Sequence, residues 1–130
     1  MNLSHLDHLV LTVRDIETTI EFYTQVLGMQ RQDFVAADGG RRTALLFGQH
    51  KINLHQSGAE FAPHAQTVQP GSADLCFLSE TALTDWQSHL DQCHVKVAEG
   101  PVARTGATGP ILSIYLRDPD GNLLEISNQV

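Results

Sequence analysis

The sequence predicts an α+β fold made of two units, each running strand, helix, then three strands. Three observations predict it. The order of elements read from apolar periodicity recurs once, over a unit of roughly 60 residues. A Gly- and Pro-bearing break separates the two runs. The chain closes on Ser113–Ile126, where two strand-like runs flank Asp118-Pro119-Asp120-Gly121. In that turn Pro presets φ, Gly accepts φ > 0, and Asp bonds its own backbone nearby.

Taken in order, Leu6–Val13 reads as a strand, and Asp15 is a good N-cap for a helix. Ile16, Ile20, Tyr23 and Leu27 recur at helical spacing, and Gly28 fits the helix end. Met29–Ala36, Thr43–Phe47 and Lys51–Gln56 read as strands, with turns at Asp38-Gly39-Gly40 and Gly48-Gln49-His50. Ser57–Gly71, with Pro63 and Pro70, loses periodicity and reads as a linker. Ser72–Leu78 is a strand, Thr81–Cys93 a helix with Leu83, Trp86, Leu90 and Cys93 on one face, and Val95–Glu99 a strand. Gly100–Pro110 reads as a long Gly/Pro-rich loop before the closing hairpin. Module 1 is therefore expected over about 4–56, a linker over about 57–71, and module 2 over about 72–130.

At 130 residues, 42% hydrophobic and 18% charged, the chain is expected to form one ordered domain with a real core. A net charge of −7 argues against nucleic acid or an anionic membrane surface as partner. A small anionic substrate stays open, because a local arginine overrides a net field. Cys76 and Cys93 lack zinc-type spacing and sit in apolar runs, so both are expected as buried free thiols in a reducing compartment. No signal-peptide pattern or membrane-spanning apolar run is seen, and a cytoplasmic protein is the expectation.

Two polar residues interrupt apolar strand runs near opposite ends of the chain, His8 and Glu125. Each is either on the polar face of its strand or inward and in need of a partner, since a buried unpaired charge is costly. Overlaying the two halves sets His8 over Asp74 and Asn53 over Glu125. Each half then offers one polar position on its first strand and one on its last. His55 lies two residues beyond Asn53, on the same face of its strand. Arg104 lies in the Gly/Pro-rich loop, which is either a plain surface loop or a lid whose arginine meets an anion. Phe22, Tyr23, Phe77 and Trp86 read as core.

The runs His5–Val13, Phe22–Met29 and Tyr115–Glu125 resemble the vicinal-oxygen-chelate superfamily, the glyoxalase/bleomycin-resistance/extradiol-dioxygenase group. The resemblance covers essentially the whole chain. Within it, Ile52–Gln56, Ser72–Phe77 and Arg104–Gly106 look similar to the glyoxalase-domain-containing protein 5 branch. The resemblance implies two βαβββ modules with curled sheets forming a cup around a divalent metal. It implies His8 and Glu125 as metal ligands from a first and a last strand. Asp74 stands where many members have a second histidine, and Asn53 where glyoxalases have a carboxylate, so His55 is an alternative ligand. A set drawn from His8, His55, Asp74 and Glu125 suits Mn, Fe, Ni or Zn without choosing among them.

The activity this resemblance implies is that of a metal-dependent, glyoxalase-like enzyme acting on a small substrate with vicinal oxygens, with Glu125 moving a proton. Arg104 and Tyr115 are the expected substrate contacts. The same resemblance leaves open an extradiol catechol-type dioxygenase, a fosfomycin-type thiol transferase, and a metal-free binding protein of the bleomycin-resistance kind. It also implies a homodimer.

Overall fold

Leu11 and Val13 on the first strand, Ile52 and Leu54 on the fourth, and Leu45 on the third are buried at alternate positions, as a sheet with one covered face requires. The structure is a computed structural model describing residues 1–130. It divides into unit 1, Met1–Pro70, and unit 2, Gly71–Val130.

Unit 1 runs β1 (His8–Val13), α1 (Ile16–Gln25), β2 (Gln30–Val35), β3 (Arg41–Phe47) and β4 (His50–Gln56). The sheet order is β1-β4-β3-β2, with β1 and β4 parallel and the other pairs antiparallel. Asp15 caps α1 by accepting a hydrogen bond from the Thr18 N–H at 2.9 Å. Ile20 and Tyr23 form the buried side of α1. Gly28, at φ +74°, lets the chain turn out of the helix into β2.

Unit 2 repeats the order with β5 (Asp74–Leu78), α2 (Leu83–Gln92), β6 (Glu99–Thr105), β7 (Pro110–Arg117) and β8 (Leu123–Gln129). Its sheet order is β5-β8-β7-β6, again with first and last strands parallel. Ile114, Leu116, Leu124 and Ile126 are its buried strand residues. The closing turn is pinned by Asp118, whose carboxylate accepts from the backbone N–H groups of Asp120 and Asn122 at 2.9 Å. Asn122 in turn accepts from the Ala73 N–H at 2.8 Å. The turn thereby fixes where β5 and β8 begin, and with them Asp74 and Glu125.

Two expectations are corrected here. Residues 100–110 are not a long loop: Glu99–Thr105 and Pro110–Arg117 pair as an antiparallel hairpin. Pro101 is tolerated because β6 is an edge strand and its pairing shifts register between Glu99 and Val102. Gly100, at φ +107°, lies where a Cβ would collide with the Ser113 carbonyl oxygen, so only glycine fits. The expected strand at Val95–Glu99 accordingly begins only at Glu99. The second correction concerns the thiols. Cys76 is exposed and Cys93 half-buried, although both are free. Cys76 is paired in register with Glu125 and so shares the polar face of the sheet, opposite the buried Leu124 and Ile126.

Candidate active site

The polar face of unit 2 centres on Glu125. In register it lies between Cys76 on β5 and Tyr115 on β7, so the three side chains share one face. Ser113 and Ser127, both fully buried, stand on the same face. The Ser113 hydroxyl donates to Glu125 Oε2 at 2.5 Å, and the Ser127 hydroxyl lies 3.3 Å from the same oxygen. The two serine oxygens are 2.7 Å apart, and Cys76 Sγ is 3.4 Å from Ser127 Oγ. A half-buried carboxylate is thus held in one orientation by two hydroxyls that converge on a single oxygen.

Arg104 sits on β6 rather than on a lid. Its Nε donates to the Tyr115 hydroxyl oxygen at 2.9 Å, and its terminal nitrogen lies 3.8 Å from Glu99 Oε1. The Tyr115 oxygen accepts from Arg104, which leaves its own O–H to donate elsewhere. Two hollows open on this face. One, of 430 Å³, is bordered by Cys76, Leu78, Arg104, Ile111 and Glu125. The other, of 440 Å³, is bordered by Asp74, Glu99, Arg104, Tyr115, Arg117 and Glu125. Glu125 and Arg104 border both. Partial burial, with Glu125 and Asp74 nearby, pushes the Cys76 thiol up from its ordinary value, so it stays protonated near neutrality.

Unit 1 holds the other expected residues. His8 is exposed, and its Nδ1 pairs with Asp7 Oδ2 at 2.8 Å, which holds the Asp7 carboxyl below its ordinary value. Asn53 is opposite Val10 and His55 opposite Thr12, whereas His8 is opposite Lys51. His8 and His55 are therefore four residues apart along the strands, with backbones roughly 13 Å apart at the usual rise, and both border one hollow of unit 1. His55 is 8% exposed. Its Nδ1 and the Asn53 Oδ1 are buried without a hydrogen-bond partner.

The fit to a metal can be judged from these positions. No group of three or more His, Cys, Asp or Glu side chains is arranged to hold an ion. Asp74 and Glu125 share a hollow in unit 2, while His8 and His55 are separated in unit 1 and Asn53 supplies only a neutral oxygen. Within either unit taken by itself, these residues do not supply a set of three ligands to one ion.

Sequence reasoning missed Ser113 and Ser127. Their signal was available: each stands two residues from Tyr115 or Glu125, hence on the same strand face. Arg42 and Phe61, which flank His55, carried no such signal, because Phe61 lies in the aperiodic segment after β4.

Comparisons with known proteins agree with this architecture. The chain is 55% identical over its full length to the "Virulence protein STM3117" of Salmonella typhimurium, covering 88% of that protein. It is 54% identical over 98% of its length to the "Glyoxalase domain-containing protein RDO1" of Mycosarcoma maydis, covering 70% of it. A solved integron cassette protein from the mobile metagenome of V. cholerae superposes with a TM-score of 0.94 at 58% identity, over 100% of this chain and 98% of that one. The profile of the Glyoxalase/Bleomycin resistance protein/Dioxygenase superfamily matches residues 5–126, and the chain belongs to that superfamily.

Proposed function

We propose that the chain is a glyoxalase-like enzyme that moves a proton on a small substrate with vicinal oxygens, with Glu125 as the proton-handling carboxylate. The observation that carries the reading is the fixed Glu125 carboxylate, held on Oε2 by Ser113 and Ser127 at the border of two hollows that Arg104 also borders. A general base needs a defined orientation and reach before it needs a tuned pKa.

In this reading Glu125 takes the proton from a carbon next to a carbonyl. The C–H electron pair moves into the carbon framework, and negative charge develops on the carbonyl oxygen. Arg104 supplies a cation and Tyr115 an O–H donor for that oxygen. The hydroxyl proton on the first carbon passes to the charged oxygen, its O–H electron pair forms the new carbonyl, and Glu125 returns its proton to the neighbouring carbon, which completes an isomerisation with atoms and electrons balanced. The test is exchange of solvent deuterium into small α-hydroxycarbonyl and thiohemiacetal compounds. Glu125→Gln is expected to reduce exchange at least about a hundredfold, the usual scale for a general base. Equal exchange by wild type and variant overturns the assignment.

The second reading is metal-assisted chemistry with Mn, Fe, Ni or Zn. It is favoured by His8 and Glu125, which stand on a first and a last strand in matching contexts. Elemental analysis of protein purified without chelator, with His8→Ala and Glu125→Ala in parallel, decides between the two. Near-stoichiometric metal that both substitutions abolish replaces the first reading by the second. Two free thiols support a reducing, cytoplasmic setting. Exposed Val10 and Leu78, on strands with one unpaired edge, support pairing of two copies. No helix is long and apolar enough to cross a membrane.

A further inference from the structure

We infer that the C-terminal end of α2 carries a site for a thiophilic cation of the zinc class, with Cys93 Sγ and His89 Nε2 as its two protein ligands. The site lies on the helix and on neither strand face, so it holds whether or not Glu125 moves a proton.

The helix sets the pair. Residues four apart are neighbours on one helix face, one turn from each other. α2 covers Leu83–Gln92, and Cys93 is its C-cap residue. The Cys93 N–H donates to the His89 carbonyl at 3.0 Å, so the last turn is closed and the backbone fixes the spacing of the two side chains. Leu90 is fully buried and anchors this turn to the core, while His89 and Cys93 are half-buried and open to an ion from solvent. The His89 ring is held as well. It meets Trp86 edge-on with centroids 5.9 Å apart, and the Trp86 Nε1–H donates to Ser79 Oγ at 2.9 Å. Groups already ordered lose little freedom on binding.

The distance between the two donors carries the inference. Nε2 and Sγ are 3.7 Å apart. Zinc bonds run about 2.0–2.1 Å to a histidine nitrogen and about 2.3 Å to a cysteine sulfur, and two such bonds at a tetrahedral angle put the donors roughly 3.5 Å apart. The pair already stands close to the bite of a chelate. When the ion binds, the S–H bond breaks, its electron pair forms the bond to the ion, and the proton leaves to solvent. Nε2 gives its lone pair, with the ring proton on Nδ1. Water fills the remaining positions, because no third His, Cys, Asp or Glu joins the pair.

Two features select the sign and kind of ion. A helix C-terminus carries about half a negative charge, which favours a cation in the last turn. The chain adds a net charge of −7. A thiolate with an imidazole prefers zinc, cadmium or cuprous copper to magnesium, calcium or manganese.

The test is titration of the full chain, kept reduced without added thiol, with cobalt(II) as a spectroscopic stand-in for zinc. Two signals read the site: thiolate-to-cobalt absorption, and the fluorescence of Trp86, the only tryptophan, which the paramagnetic ion quenches at this range. Both are expected to saturate together at one ion per chain, to be reversed by zinc and to resist a large excess of magnesium. Cys93→Ser, nearly isosteric, and His89→Ala are each expected to weaken binding at least about tenfold, the smallest loss usual even for a residue that only supports a ligand. Cys76→Ser and His8→Ala are expected to leave both signals in place, which separates this site from a metal on a strand face. Absence of thiolate absorption in wild type, its survival in Cys93→Ser, or its loss in Cys76→Ser overturns the site, and the contact of Cys93 with His89 is then a hydrogen bond alone. Displacement by magnesium as readily as by zinc overturns the ion class.

Discussion

Units 1 and 2 have the same element order and the same parallel pairing of first with last strand, yet opposite chemistry on their polar faces. Unit 2 sets a carboxylate at the centre and satisfies it, with two buried serines converging on Glu125 Oε2. Unit 1 has the neutral Asn53 and His55 in the comparable strand and leaves one polar atom of each unpaired. The difference teaches that the repeated backbone supplies positions and not roles. Register decides which side chains share a face, and residue type alone decides what chemistry that face can carry.

The likeness of the two units is tested most severely in their cores. Leu54 on β4 and Leu124 on β8 are 1% and 0% exposed. Leu54→Ala and Leu124→Ala are each expected to cost about 2–5 kcal/mol, from lost transfer energy plus the cavity left behind. Urea unfolding of the two variants measures this. A cost below about 1 kcal/mol in one unit only would show that its sheet is not packed as its twin is.

A smaller effect sharpens the contrast between the polar faces. Ser113→Ala removes the hydroxyl that orients Glu125 and is expected to lower proton exchange about tenfold, well short of the loss in Glu125→Gln. Ser113 acts through Glu125, so Ser113→Thr, which keeps the hydroxyl, is expected to restore exchange toward the wild-type rate. Exchange unchanged in Ser113→Ala would assign the serine to packing alone.

How much of this was legible differs by level. The element order and the closing turn were, because Asp15, Gly28 and Asp118–Gly121 are local signals whose physics acts within a few residues. The β6 hairpin was not. Gly100, Pro101 and Pro110 read as loop residues, and only the edge position and the register shift make them compatible with a strand. Cys76 was misread as buried because apolar runs do not state which face is covered; its pairing with Glu125 states it. At the site, His8, Asp74 and Glu125 could be named from strand context. The separation of His8 from His55 depends on the pairing of β1 with β4, a contact between segments some forty residues apart.

The smallest expected effect is a pH dependence that belongs to unit 1. His55 is neutral in the folded chain because burial, then the charges of Arg42 and His64, lower its pKa below the ordinary 6.5, while Glu60 opposes them. The unfolded chain therefore binds a proton at this ring before the folded chain does. The associated stability is complete above about pH 6.5 and is lost as the pH falls from there toward the lowered folded value. One proton limits the slope to about 1.4 kcal/mol per pH unit. Most carboxylates titrate lower still, and hydrogen bonds lower the pKa of Glu60 and Asp38 further, so the interval from pH 7 to 5 isolates the imidazoles. His55→Phe keeps an aromatic ring against Phe61 and removes the titration. Its stability is expected to fall less than that of wild type across the interval, and parallel profiles would mean that His55 titrates as it does in the unfolded chain.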